Sequence, residues 1–138
     1  MSLPTPAWST SPAASDAAIE ALLGQSPWPL PDDYIRYLRS SNGGEGEIDV
    51  QPCYCQIWPA EDVLTFHAEY QVPEYAPGFL AFGSSGGGEL IAFDMRETGR
   101  FPVVSLPCIG LSPSEAMPVA GSFADLTSHF GRPYADID

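Results

Sequence analysis

The apolar pattern of this 138-residue chain changes period once, at Asn42-Gly43-Gly44, and that change constrains its fold more than any other feature. Upstream the spacing is helical. Residues 16–23 place Ile19, Leu22 and Leu23 on one stripe, with Asp16 positioned to cap the helix and Gly24 to end it. Residues 31–41 repeat the pattern: Pro31 suits the first helical position, Asp32 and Asp33 suit the positive end of the dipole, and Tyr34, Ile35 and Leu38 form the buried stripe. Asn42, Gly43 and Gly44 then tolerate the positive φ that stops a helix.

Downstream the period is two. Strands are predicted at residues 48–50, 53–58, 79–82, 89–94 and 101–106, with a helix at 60–70 opened by Pro59. The last three strands, joined by tight turns, read as an antiparallel meander. Residues 108–119 read as a loop. Residues 122–130 close the chain as a helix, with Ser122 as cap, Asp125 completing a capping-box pattern, and Phe123, Leu126 and Phe130 on one face. Helices and strands in this order predict an α+β fold. A length of 138 residues and a hydrophobic fraction of 44% suit one domain with a real core. Residues 1–15, rich in Pro, Ser, Thr and Ala, read as a flexible leader with Trp8 tucked onto the domain; the domain proper is expected over 16–138.

The charge is lopsided. Eighteen Asp and Glu stand against five Arg and no Lys, a formal net charge of −13. Between Arg39 and Arg96 there is no basic residue except His67, while Glu45, Glu47, Asp49, Glu61, Asp62, Glu69, Glu74, Glu89 and Asp94 all fall there. Such a surface repels nucleic-acid phosphates and anionic lipid, so neither nucleic acid nor membrane is an expected partner. It attracts basic proteins and speeds the encounter, though acidity also serves plain solubility. The N-terminus carries no secretory pattern, and no stretch approaches the ~20 apolar residues of a membrane span, so a cytoplasmic location is expected. Three cysteines, Cys53, Cys55 and Cys108, form no complete disulfide framework.

Chemistry-bearing constellations are sparse. The Gly83–Gly88 run leads into a strand rather than a helix, and no lysine stands nearby, so a hairpin turn outweighs a phosphate cradle. Cys53 and Cys55, on one face of a strand, could join Cys108, His67 or His129 at zinc, but a second closely spaced ligand pair is missing. No nucleophile signature surrounds any Cys, Ser or His, which disfavours a hydrolase. Asp32-Asp33 and Glu61-Asp62 sit at helix starts, where the dipole accounts for them. Glu45, Glu47 and Asp49 alternate, which places three carboxylates on one face of a strand or loop. No catalytic residue, cofactor or metal is expected.

Several ordered motifs resemble the SUKH superfamily, which includes Smi/Knr-type fungal cell-wall regulators and bacterial immunity proteins. Leu30-Pro31-Asp32-Asp33-Tyr34-Ile35 with Tyr37-Leu38, followed by Asn42-Gly43-Gly44, resembles its first signature. Ile57 through Val63, Phe82-Gly83 with Gly86 to Glu89 and Phe93-Asp94, and Ala120 with Ser122-Phe123 and Asp125-Leu126 resemble the elements that follow. The resemblance implies a central, mostly antiparallel sheet with helices packed around it. It also implies an immunity-type protein that binds and neutralises a cognate toxin, often a nuclease; a regulatory or scaffold adaptor with endogenous partners is the alternative, ahead of a small Cys/His metal protein or hydrolase. Occlusion by an acidic surface makes Glu45, Glu47, Asp49, Glu61, Asp62 and Glu89 the candidate partner-binding residues, and the chain is expected not to be an enzyme.

Overall fold

The computed structural model describes residues 8–97 and 99–134. The first seven positions of the expected leader and residues 135–138 of the expected domain lie outside the described residues. The elements run β1 (Trp8–Ser9), α1 (Asp16–Gln25), α2 (Asp32–Ser40), β2 (Gly44–Glu47), β3 (Tyr54–Ile57), α3 (Val63–Glu69), α4 (Val72–Tyr75), β4 (Phe79–Ser84), β5 (Glu89–Asp94), β6 (Val103–Pro107), a 3-10 turn (Pro113–Glu115), β7 (Met117–Ala120) and α5 (Phe123–Thr127). The seven strands pair in sequence order, every pair antiparallel, into one curled sheet with the helices around it. This is the α+β fold that the change of period and the family resemblance imply.

Local chemistry sets the element ends. Ser15, in extended conformation, accepts the Ala18 N–H at 3.1 Å and caps α1. Asp16, the cap expected from the sequence, is already helical and instead pairs with Arg39 at 3.0 Å on the surface. Ser122 does cap α5, accepting the Asp125 N–H at 3.0 Å, while Asp125 reaches back to the Gly121 N–H at the same distance. Gly43 has φ +103°, and a Cβ there would lie 2.7 Å from the Ile57 carbonyl, so only glycine passes this close approach. Asn42 staples the two segments that leave this point: Oδ1 accepts the Ala60 N–H at 2.7 Å and Nδ2 donates to Glu61 at 2.8 Å.

Element bounds differ from those expected, most clearly at β2, α3 and β7. The first sheet strand after the glycines is Gly44–Glu47, not 48–50; Ile48 makes a single bridge to Phe130 before the chain turns through Cys53, whose φ is +77°. The helix expected over 60–70 begins only at Val63, and Gln71, at φ +60°, separates it from the one-turn α4. Part of the expected loop at 108–119 contributes β7, which pairs with β6.

One face of the sheet packs on aromatic rings. Tyr34 of α2 is fully buried, with its ring centroid 5.4 Å from Phe82, 5.3 Å from Phe93 and 5.3 Å from Phe123. Trp8 lies parallel to Phe130 at 3.7 Å, and its indole Nε1 donates to the Tyr37 hydroxyl at 3.0 Å. α3 and α4 pack against β4. Because β3 pairs with only Ser84 and Gly83 of β4, the earlier part of that strand needs other partners; buried His67 of α3 provides one, its Nδ1 accepting the Ala81 N–H at 3.2 Å.

Two stability predictions follow from this interior. The Tyr34 hydroxyl is buried without a hydrogen-bond partner among the described residues. Tyr34→Phe removes an unsatisfied group whose desolvation costs about 1–3 kcal/mol, so the thermal midpoint should hold or rise; a fall of several degrees would reveal a hidden partner. Burial holds the His67 imidazole below its ordinary pKa of 6.5. The unfolded chain therefore binds this proton first on acidification, so the contribution is complete above about pH 6.5 and fades as pH falls through the lower folded value. Denaturant midpoints measured from pH 7 to pH 5 should decline less for His67→Gln, whose amide oxygen can still accept from Ala81.

Candidate protein-binding face

The pleat sorts the β2–β3 hairpin into two sides. Gly46, Cys55 and Ile57 are buried. Glu45, Glu47, Tyr54 and Gln56 alternate with them and point the other way. The register places Glu45 opposite Gln56, Glu47 opposite Tyr54, and Gln56 opposite Ser84, so all five residues share one face. Glu45 and Glu47 are exposed and Tyr54, Gln56 and Ser84 half-buried, so this part of the sheet meets solvent.

The face is ordered by its own hydrogen bonds. Glu45 Oε2 accepts from the Tyr54 hydroxyl at 2.7 Å and from Gln56 Nε2 at 3.3 Å. Ser84 Oγ donates to Gln56 Oε1 at 2.8 Å. The Tyr54 phenol is pushed up to about 12, chiefly because its proton is held by the Glu45 carboxylate. Neither Glu45 nor Glu47 makes an ion pair among the described residues, so their charge is left for a partner.

The other four candidate residues are dispersed. Asp49 lies past the end of β2, its Oδ1 2.6 Å from His129 Nδ1. Glu61 is exposed at the opposite end of the hairpin, bonded to Asn42, which holds its carboxyl below the usual range. Asp62 is the residue before α3 and makes no side-chain cap. Glu89 follows the β4–β5 turn and accepts from Ser85 Oγ at 2.6 Å. Leu90 is opposite Ser84 and thus on the face of Glu45, so its neighbour Glu89 projects from the other face of the sheet. Glu45 and Glu47 therefore form one patch, and Glu89 belongs to another. Tyr54 and Gln56 were not singled out from the sequence; their alternation with Cys55 and Ile57 is the signal that marks them.

The groups considered for chemistry are also apart. His67 is engaged by the β4 backbone and His129 by Asp49; among the described residues neither hydrogen-bonds a serine or cysteine. Cys53 sits in the turn before β3, Cys55 is buried with its thiol pushed up by burial, and Cys108 lies beyond β6. No three His, Cys, Asp or Glu side chains converge among the described residues. An open cavity of about 770 Å³ between the starts of α2 and α5 has walls of both signs, including Asp33, Arg36, Glu97 and Arg100; Asp33 is consumed by the Tyr34 and Ala124 N–H groups. No described helix is long and apolar enough to cross a membrane.

The Tyr54–Glu45 bond is directly testable. In a pH titration of ring-labelled tyrosines by NMR, Tyr54 should titrate above the ordinary tyrosine value of about 10, and Glu45→Gln should bring it back toward that value. A Tyr54 titration that Glu45→Gln leaves unmoved would remove this bond from the description of the face.

The family model described as SMI1 / KNR4 family (SUKH-1) matches residues 13–129. No curated protein matches the chain. The family includes immunity proteins and Smi1/Knr4 regulators. With that match reaching from before α1 to beyond α5, the chain belongs to the SMI1 / KNR4 family (SUKH-1).

Proposed function

We propose that this chain is an immunity-type protein of its family, which binds a cognate toxin and neutralises it by occlusion. The observation that carries the reading is the outward face of β2 and β3, where Glu45 and Glu47 stand beside Tyr54 with no cation paired to them among the described residues, in a chain of net charge −13. A nuclease is the toxin class this charge suits, because a nuclease must itself attract phosphate and presents a basic site. The Glu45 carboxylate, held by Tyr54 and Gln56, would meet that site already oriented, which lowers the ordering cost of association. Tyr54 supplies an aromatic surface of the kind enriched at binding hot spots. Asp49, Glu61, Asp62 and Glu89 add to the long-range field rather than to this patch. The chain acts by binding, inside the cytoplasm, and needs neither cofactor nor catalytic residue.

The family's regulators support a second reading, an adaptor with several endogenous partners. Co-expression with the product of the adjacent gene separates the two: immunity requires one stoichiometric complex and relief of that product's toxicity. Within such a complex, Glu45→Gln with Glu47→Gln should slow association about tenfold at low salt while changing dissociation less, and the difference should shrink at high salt. Equal association rates for the variant and the wild-type chain would remove this face from the interface. Several captured housekeeping proteins and no toxin would favour the adaptor.

A further inference from the structure

A recess of about 440 Å³ opens on the face of the sheet opposite Glu45, between the ends of β5, β6 and β7 and the turn that carries Pro52. Its apolar wall is Pro52, Pro107 and exposed Met117. Two carboxylates, Glu89 and Glu115, line it, and no arginine or lysine does. Glu89 is fixed by Ser85; the Glu115 side chain makes no hydrogen bond among the described residues. The recess also contains Ser105, a polar residue only 8% exposed, whose hydroxyl makes no hydrogen bond among the described residues. The register places Ser105 two residues from Pro107, which faces Glu89, so all three share the face that opens into the recess.

We infer that this recess takes one basic side chain, arginine or lysine, from the protein partner. The reading rests on the proposed binding function and assigns it a second contact. Proline rings and a methionine suit the aliphatic stem of such a residue, which gains by leaving water, while its charged head stays at the polar rim. A guanidinium offers five donors in a fixed fork, and the recess supplies acceptors for them: two carboxylates and the Ser105 hydroxyl. An acidic or phosphorylated ligand would meet two like charges without a compensating cation. A purely apolar ligand would leave Ser105 and the Glu115 carboxylate desolvated and unpaired.

The probes are N-acetyl-arginine amide and, as the apolar control, N-acetyl-norvaline amide, titrated into the ¹⁵N-labelled full chain. The arginine probe should bind weakly and shift the amides of Ser105, Glu115 and Met117, with the norvaline probe at least about tenfold weaker, as loss of a charge-assisted contact predicts. Glu115→Gln, which touches no internal hydrogen bond, should weaken the arginine probe, and Glu89→Gln with Glu115→Gln should abolish the shifts; Glu45→Gln with Glu47→Gln should leave them unchanged. Shifts spread over the whole acidic surface, equal binding of the norvaline probe, or shifts that survive the Glu89/Glu115 double variant would overturn the assignment. Concentration-dependent shifts without probe, with a dimer in light scattering, would give the recess to a second copy of the chain and overturn it as well. Because the probe is a single capped residue, its failure leaves the association-rate test at Glu45 and Glu47 standing, so the two readings fail separately.

Discussion

The ring of Tyr34 is the contact on which the rest of the structure depends. It touches Phe82 of β4, Phe93 of β5 and Phe123 of α5, three segments spread over the second half of the chain. The cluster extends outward from there. Tyr37, one turn later in α2, lies 5.4 Å from Phe123 and 5.8 Å from Phe130, and Phe130 stacks on Trp8. Offset and edge-on ring pairs contribute about 0.5–1.5 kcal/mol each beyond the area they bury. That gain must offset the closure of very long loops, since residues 8 and 130 meet only in the folded chain. The Tyr34 hydroxyl at the centre of this cluster has no hydrogen-bond partner among the described residues, a cost that the ring contacts must also offset.

The same cluster fixes where the sheet begins. The Tyr37 hydroxyl accepts from Trp8 and donates to the Gly43 carbonyl at 2.7 Å, and Ser41 Oγ donates to the same oxygen. The end of α2 is thereby tied both to β1 and to the glycine that precedes β2. From that anchored point Asn42 sends β2 one way and positions the start of the α3 segment the other. With α2 and α5 on the face of Phe82 and Phe93, and α3 and α4 drawn against β4, the opposite side of β2 and β3 is left to solvent. The acidic residues there are exposed because the packing that holds the hairpin uses only its inner side.

Much of this was legible in the sequence, and the exceptions have physical reasons. The α2 stripe follows from helical periodicity, because that helix buries one side; the central hairpin is legible as two short apolar runs around a glycine-rich turn, because both its faces are buried. β1 has two residues and shows no period at all; Trp8 is held by a ring 122 positions away. β7 reads Met117-Pro118-Val119-Ala120, with a proline that removes one donor and a methionine left exposed, so it lacks the alternation of a half-buried strand. Alternation of Glu45, Glu47 and Asp49 predicted one acidic face, but the strand ends at Glu47 and Asp49 pairs with His129 instead. Glu89 lies on the other side of the sheet from Glu45: pairing register, which a single sequence does not carry, decides its side.

Register also changes what kind of partner this fold can hold. A patch confined to one flat surface would suit a partner that docks and leaves. Here Glu45, Glu47 and Tyr54 face outward from β2 and β3, while the turn between those strands lends Pro52 to the recess on the other side. Both surfaces thus include the same hairpin. A partner that engages the two must clasp the hairpin around its turn, and the carboxylates on either side then attract basic groups from two directions. Electrostatic attraction sets how fast such a partner arrives, whereas the fit of side chains at the turn sets how long it stays. A chain this acidic gains encounter rate almost anywhere on its surface. On the proposed reading, discrimination between partners comes from places where its carboxylates are held in fixed geometry, such as beside Tyr54 on one side and Ser85 on the other.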